Sequence, residues 1–171
     1  VGTNYGDVPF FEEVRVSGKA VVTEPLIGKH TKVPLFTIAQ PIFDPHGQFM
    51  GVVMGITNLL EANFLDEISR AKYGQTGDFL VSAPKSRVFI ASSDKRRVMQ
   101  AGPPVGVNAL YDRYLEGFDG SGVATSSRGV EELSSSRTIA STGWLMQAVF
   151  PTEEAFAPIR AMQREQFLVA T

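Results

Sequence analysis

The sequence predicts an α+β fold with antiparallel sheets, and three observations carry that prediction. Val33 to Thr57 holds two apolar runs, rich in β-branched and aromatic residues, on either side of the turn Asp44-Pro45-His46-Gly47, the pattern of a hairpin. Residues 78–150 then read as two strands, a helix and three further antiparallel strands. A last helical stretch starts at Thr152, where Glu153 and Glu154 suit the positive end of the helix dipole.

Taken in order, Asp7 is expected to cap a short helix running through Val14, with Pro9 in its first turn and Gly18 as its stop. Phe10, Phe11 and Val14 form its apolar stripe. A strand follows near Ala20 to Thr23, then a turn from Pro25 to Thr31, then the hairpin. On its second strand Met50, Val52, Met54 and Ile56 fall on one face, and Gly51, Val53 and Gly55 on the other. The apolar face reads as either a sheet core or a pocket floor. The glycine face leaves room for close approach of a helix or backbone. Three strands and one short helix leave a sheet face with little cover, so chain upstream of Val1, or a partner, is expected to complete this first lobe.

Leu59 to Lys72 is predicted as a connecting helix, with Leu60, Phe64, Ile68 and Ala71 on one face and Gly74 closing it. Strands are expected over Asp78–Ser82 and Arg87–Ser92, a helix over Asn108–Glu116 with Leu110, Tyr111, Tyr114 and Leu115 as its stripe, and strands near Val123–Ser126, Glu132–Ile139 and Trp144–Phe150. Thr152 is a candidate cap for the final helix, and Pro158 predicts a kink in it.

Composition narrows the function. A chain of 171 residues can bury roughly 70% of its unfolded surface in one or two domains. A net charge of -2 argues against a nucleic-acid surface, and Lys95-Arg96-Arg97 reads as a solvated turn. The absence of cysteine removes disulfides and thiolate chemistry without fixing the compartment. No run reaches the ~20 apolar residues of a membrane span. The chain opens without a start methionine and stops within the apolar run Phe167 to Thr171, as expected of a piece of something longer.

Catalytic chemistry is sought and not nominated. His30 and His46 both read as exposed turn residues outside any metal-like spacing, and Asp44 as a local backbone acceptor. The pairs Glu12-Glu13, Glu131-Glu132 and Glu153-Glu154 point their members apart. The serine run Ser134 to Ser136 leaves a serine hydrolase as a remote alternative. No cofactor or metal is expected.

The order of Asn4-Tyr-Gly-Asp7, Phe10-Phe11, Ser17-Gly-Lys19, Thr23-Glu-Pro25, Ile27-Gly28, Pro41 to Phe43, Asp44-Pro-His-Gly47 and Gly51-Val-Val53 resembles the second half of the membrane-distal lobe of double Cache sensor domains. Phe64-Leu65, Tyr73-Gly74, Thr76-Gly-Asp-Phe79, Thr142-Gly-Trp144 and Phe150 to Ile159 resemble the membrane-proximal lobe, most like those of bacterial diguanylate cyclases. The resemblance implies PAS-like lobes divided as 1–58 (C-terminal part of the distal lobe), 59–77 (connecting helix and turn), 78–151 (proximal lobe) and 152–171 (helix toward a transmembrane span). It implies an extracytoplasmic, periplasmic ligand sensor of an inner-membrane receptor, not itself an enzyme, working as a homodimer. Its C-terminal helix would carry the binding state to a cytoplasmic output module, a diguanylate cyclase or phosphodiesterase.

By resemblance the distal-lobe ligand residues are Phe10, Phe11, Leu26, Met54 and Ile56. The family's amino-acid-sensing branch places an arginine where this chain has Val8, a tyrosine where it has Leu26 and an aspartate where it has Ile56. With both charge partners replaced, the expected small-molecule ligand is not an ordinary amino acid. The alternative is a structural or partner-binding periplasmic domain without a ligand. An internal pocket with convergent polar groups would favour sensing; a filled core with an exposed apolar patch would favour a partner.

Overall fold

The computed structural model describes residues 6, 8–29 and 31–162, which fall into two compact units, Val1–Asn63 and Phe64–Thr171. It is α+β with two antiparallel sheets, as the sequence predicts.

The first unit begins with helix α1, Pro9–Ser17. Pro9 at the first helical position supplies a φ already suited to a helix, and Gly18, left-handed at φ 63°, closes it by donating its N–H to Val14 O. The helix is therefore longer than expected. Val8 stands at its N-cap with no side-chain cap; Asp7 lies outside the described residues, as does His30. Strands β1 (Val21–Val22), β2 (Leu26–Ile27), β3 (Pro34–Phe43) and β4 (Phe49–Asn58) follow. The segment expected to be a plain turn thus contains β2. Strand β3 is central, pairing with β4 along one edge and with β1 and β2 in succession along the other.

The hairpin turn is built as its sequence suggests, with the Asp44 carboxylate accepting the N–H groups of His46 and Gln48, each at 2.8 Å. Its first ladder rungs are less regular. Ile42 pairs with Gly51 and Phe43 with Phe49, which leaves Met50 as the extra residue of a bulge, 68% exposed. Met50 therefore leaves the face expected for it, while Val52, Met54 and Ile56 keep theirs. That face receives α1, with Val14 and Ala39 fully buried. The opposite face exposes Ile38 and Val53, and no atom lies within 4 Å of a Cβ built on Gly51 or Gly55. Among the described residues nothing uses the room the glycines leave.

The expected helix over 59–72 shrinks to α2, Asp66–Arg70. Side chains compete with the helix for its backbone partners: Asn58 Oδ1 accepts the Leu60 N–H, and Asn63 Nδ2 donates to the carbonyls of Asn58 and Glu61. Leu60 and Phe64, expected on its buried face, are exposed.

The second unit is a five-stranded sheet in the order β6-β5-β9-β8-β7. Its strands are β5 (Asp78–Ala83), β6 (Val88–Ser92), β7 (Gly120–Thr125), β8 (Glu131–Thr138) and β9 (Leu145–Pro151), with helix α3 (Ala109–Leu115) between β6 and β7. Asn108 caps α3 by accepting the Tyr111 N–H at 2.8 Å. Two glycines of β7 let α3 and its exit lie close: a Cβ on Gly122 would stand 2.9 Å from Leu110, and one on Gly120 2.5 Å from Phe118.

Helix α4, Thr152–Ala155, ends the sheet. Thr152 is not its cap; its hydroxyl donates to the Glu131 carboxylate at 2.8 Å, and Pro151 takes the cap position. The helix is interrupted at Phe156, two residues before Pro158, and helical conformation resumes through 162. The single non-helical residue, with helix on both sides and the Phe156 N–H→Thr152 O and Arg160 N–H→Phe156 O bonds kept, is the kink expected of Pro158, which has no N–H to donate into the preceding turn.

Candidate functional site

Strand register places an unusual set of side chains on one face of the second sheet. Leu80 stands opposite Gln147, Ser134 opposite Val149 and Ser136 opposite Gln147, so one pleat face presents Asp78, Leu80, Ser82, Glu132, Ser134, Ser136, Gln147 and Val149 together. Helix α3 and the segment from Asp94 to Asn108 cover it. The polar members are buried, among them Glu132 at 4% and Gln147 at 4% exposure.

Under that cover lies a cavity of about 40 Å³ lined by Arg97, Tyr111, Tyr114, Glu132, Ser134, Gln147 and apolar walls from Leu80, Phe89, Leu110 and Val149. At roughly 10–15 Å³ for each water-sized position, it has room for about three. Arg97 is anchored on two sides. Its Nη1 donates to Asp78 Oδ2 at 3.1 Å, and its guanidinium lies 4.5 Å from the Phe89 ring centroid. Asp78 is fully engaged, accepting also from the Ser92 hydroxyl and the Ser93 N–H. A buried carboxylate so matched keeps the arginine in place.

Arg97 itself is 5% exposed, which corrects the reading of Lys95-Arg96-Arg97 as a solvated turn. A 3-10 turn, Lys95–Arg97, begins where Asp94 accepts the Arg96 N–H, and it sends Arg97 inward while Lys95 and Arg96 stay outside.

The two tyrosines of α3 differ. Tyr114 donates its hydroxyl to Ser134 O at 3.0 Å. The Tyr111 hydroxyl is buried with no hydrogen-bond partner in range among the described residues. Against the effect of burial, Ser82 acts on it as a hydrogen-bonding neighbour that lowers its pKa, while the Ser82 hydroxyl itself donates to Gln147 Oε1 at 3.1 Å. Burial pushes the Tyr111 hydroxyl above its ordinary pKa, so the group stays protonated and is a donor at neutral pH. Gly102 makes its place: a Cβ there would lie 2.6 Å from that oxygen. Arg87 lies over the Tyr111 ring and pairs with Asp112 at 2.6 Å. The Asp112 carboxyl is held below its usual range by the Gly106 N–H and then by Arg87.

Two of the residues at the cavity, Glu132 and Arg97, connect to α4 through their neighbours. Glu132 lines the cavity, and the adjacent Glu131 holds Thr152. Asp78 holds Arg97, and just before it the Gln75 and Thr76 N–H groups donate to the Glu154 carboxylate at 2.7 and 2.9 Å. The Thr76 hydroxyl and these N–H groups hold the Glu154 carboxyl below its usual pKa.

The sequence-predicted ligand residues lie in the first unit. Leu26, Met54 and Ile56 share the sheet face that α1 covers, since they stand opposite Leu35, Ala39 and Thr37. Phe11 packs edge-on against Phe49 and, like Phe10 and Met54, is half-buried. Leu26 is 43% and Ile56 50% exposed, so within the unit they form an open apolar surface. Sequence reasoning named none of Arg97, Tyr111, Glu132 or Gln147 as a site residue. The polar alternation at 132, 134 and 136 was the available signal, although Ser135 and Arg137 between them hid which face turns inward.

No third group completes a serine-hydrolase arrangement in the second unit, whose residues 64–171 contain no histidine. Among the described residues no group of acidic or histidine side chains could hold a metal ion, and no helix is long and apolar enough to cross a membrane.

No curated protein matches the sequence. A family model described as "Cache domain" matches residues 2–159. Among solved structures, the ligand-binding domain of Mlp24 with asparagine is 18% identical, with a TM-score of 0.63 over 94% of this chain and 62% of that one. The ligand-binding domain of the amino-acid chemoreceptor PctB of Pseudomonas aeruginosa PAO1, in complex with L-Arg, is 19% identical, with a TM-score of 0.64 over 96% and 63%. The extracellular domain of mmHK1S-Z3, described as a histidine kinase, is 20% identical, with a TM-score of 0.68 over 94% and 59%. The chain thus spans about three-fifths of the length of these structures.

These neighbours overturn the expectation that an ordinary amino acid is not the ligand: their structures hold asparagine and L-Arg, and PctB also L-Gln. That expectation required a ligand's charges to be met at Val8 and Ile56, whereas any buried donor and acceptor can meet them, and position-by-position transfer fails at such low identity. The match over residues 2–159 and the shared two-sheet architecture make this chain a member of the Cache domain family, the extracytoplasmic ligand-sensing domains of membrane receptors.

Proposed function

We propose that this chain is the sensing part of a transmembrane receptor in which the second unit's cavity is a ligand chamber and α4 the exit for the signal. The observation that carries the reading is the buried cluster of Arg97, Tyr111, Glu132 and Gln147 around a half-open cavity, since convergent polar groups around a cavity are what a filled structural core avoids. Small polar metabolites, amino acids included, form the candidate class, in keeping with the asparagine and L-Arg of the structural neighbours. Binding can bias the receptor only through different affinities for two states. The contacts of Glu131 with Thr152 and of Gln75 and Thr76 with Glu154 support α4 as the element that responds.

The output lies in a cytoplasmic module beyond this chain; the sequence resemblance favours a diguanylate cyclase, in a homodimeric inner-membrane protein. The apolar surface of Phe10, Phe11, Leu26, Met54 and Ile56 in the first unit is a second proposed seat for a ligand.

The test is a thermal-shift screen against organic acids, amino acids, polyamines and purines. A ligand specific to the folded state adds about 2.7 kcal/mol at a hundredfold excess over its Kd. A saturable hit that also changes hydrogen exchange at the Phe156 N–H, which is bonded to Thr152 O, supports the proposal. A flat screen on folded protein sinks it in favour of a partner-binding domain.

A further inference from the structure

The cavity in the second unit has more hydrogen-bonding capacity than its own residues use, and the surplus is of two kinds, donor and acceptor. Arg97 carries five N–H donors, of which its side-chain bonds among the described residues use one, the bond to Asp78. Tyr111 adds a buried hydroxyl with no partner. Gln147 spends its carbonyl oxygen on Ser82 and has its amide N–H groups in reserve. Asp78 cannot absorb this surplus, because its oxygens already accept from Arg97, Ser92 and Ser93. The cavity lining is therefore rich in donors. It also holds Glu132, 4% exposed, whose one side-chain bond among the described residues is with Arg128 at 3.4 Å on Oε1. Its second oxygen is left to accept.

Groups that are this well buried do not keep unmatched capacity without a polar occupant, whether solvent or ligand. About 40 Å³ in a half-open cavity favours a small occupant, and the apolar walls of Leu80, Phe89 and Val149 suit a short carbon segment. We infer that the second unit binds a carboxylic acid of two or three carbons with a hydroxyl at C2, its carboxylate on Arg97 and Tyr111 and its hydroxyl donating to Glu132. Gln147 is the further donor to the carboxylate. The inference rests on the sensing reading and narrows it to one site and one ligand class.

The test is calorimetric titration of the chain with L-lactate, with propionate, which lacks the hydroxyl, and with L-glutamine, which exceeds the cavity. L-lactate is expected to bind saturably and propionate about tenfold more weakly, the effect of one hydrogen bond to a charged group. Tyr111→Phe should weaken L-lactate about tenfold while circular dichroism and the apo Tm show an intact fold. Arg97→Lys should abolish the binding, because the planar fork of the guanidinium is lost while the charge beside Asp78 remains. Absence of L-lactate binding, or L-lactate binding unchanged by Tyr111→Phe, overturns the inference. A hit from the broader thermal-shift panel that Tyr111→Phe leaves untouched overturns it too, yet leaves the sensing reading standing. A panel with no hit at all brings down both.

Discussion

The two sheets solve the same problem with opposite chemistry. In the first unit the covered face presents Ala39, Val52 and Met54 to α1, with Ile56 at its exposed margin, and any apolar cover of the right shape satisfies it. In the second unit the covered face carries Asp78, Ser82, Glu132, Ser134, Ser136 and Gln147, all buried. Each of these loses water on folding and calls for a specific partner in return, which the Ser136 hydroxyl does not find among the described residues. Apolar burial tolerates exchange; polar burial specifies geometry. The difference explains why a donor or acceptor left over in the second unit carries functional meaning, while the exposed Leu26 and Ile56 of the first give only an apolar surface.

The sharpest way to break the comparison is to remove one member of each core. Arg97→Ala leaves Asp78 buried beside no counter-charge and is expected to cost about 3–5 kcal/mol in urea unfolding. Phe36→Ala, in a side chain 1% exposed on the face of the first sheet away from α1, opposite Thr57, is expected to cost a similar ~3–5 kcal/mol through its cavity. The two are separated by rescue: a large apolar replacement such as Leu should recover much of the loss at 36 and little at 97. Equal rescue would erase the distinction between the units.

A finer pair lies on α3. Tyr114→Phe removes a hydroxyl bonded to Ser134 O and should destabilise by about 1 kcal/mol. Tyr111→Phe removes a hydroxyl with no partner and should leave the ligand-free protein as stable, or more stable by up to about 1 kcal/mol, since an unsatisfied buried group costs energy. Equal losses from both would mean that Tyr111 is matched within the fold.

The smallest effect concerns pH. The Glu154 pKa is lowered by Thr76 and Gln75, so its contribution is present above the ordinary carboxylate range and is lost as pH falls through the lowered folded value. Acid titration below about pH 4.5 should loosen the contact between α4 and residues 75–76, visible as faster exchange of the Gln75 and Thr76 N–H groups. Glu154→Gln should remove that pH dependence. If the variant titrates like the parent protein, another carboxylate holds α4.

Much of the fold was legible in the sequence because it rests on local chemistry. The Asp44–Gly47 turn and the Gly18 stop are each decided within a few residues, and the strands around them follow from apolar pattern. The reading failed where neighbours in sequence competed for the backbone, as Asn58 and Asn63 do against the expected helix over 59–72, and where a bulge at Met50 broke the alternation. The candidate site was the least legible part. Lys95, Arg96 and Arg97 are alike as sequence, and only a 3-10 turn beside Asp78 distinguishes the buried one.

By itself, then, the sequence determined an α+β chain of Cache type, its hairpin, the order of the second unit's strands along the chain and the two-tyrosine stripe of α3, because turns, helix stops and periodicity act over short distances. The tertiary structure alone decided which face of β8 turns inward, which arginine meets Asp78, nineteen residues before it in the chain, and which tyrosine hydroxyl is left without a partner. Those outcomes depend on strand register and on groups brought together from β5, β8, β9 and α3, and desolvation gives them their weight only once the cover is in place.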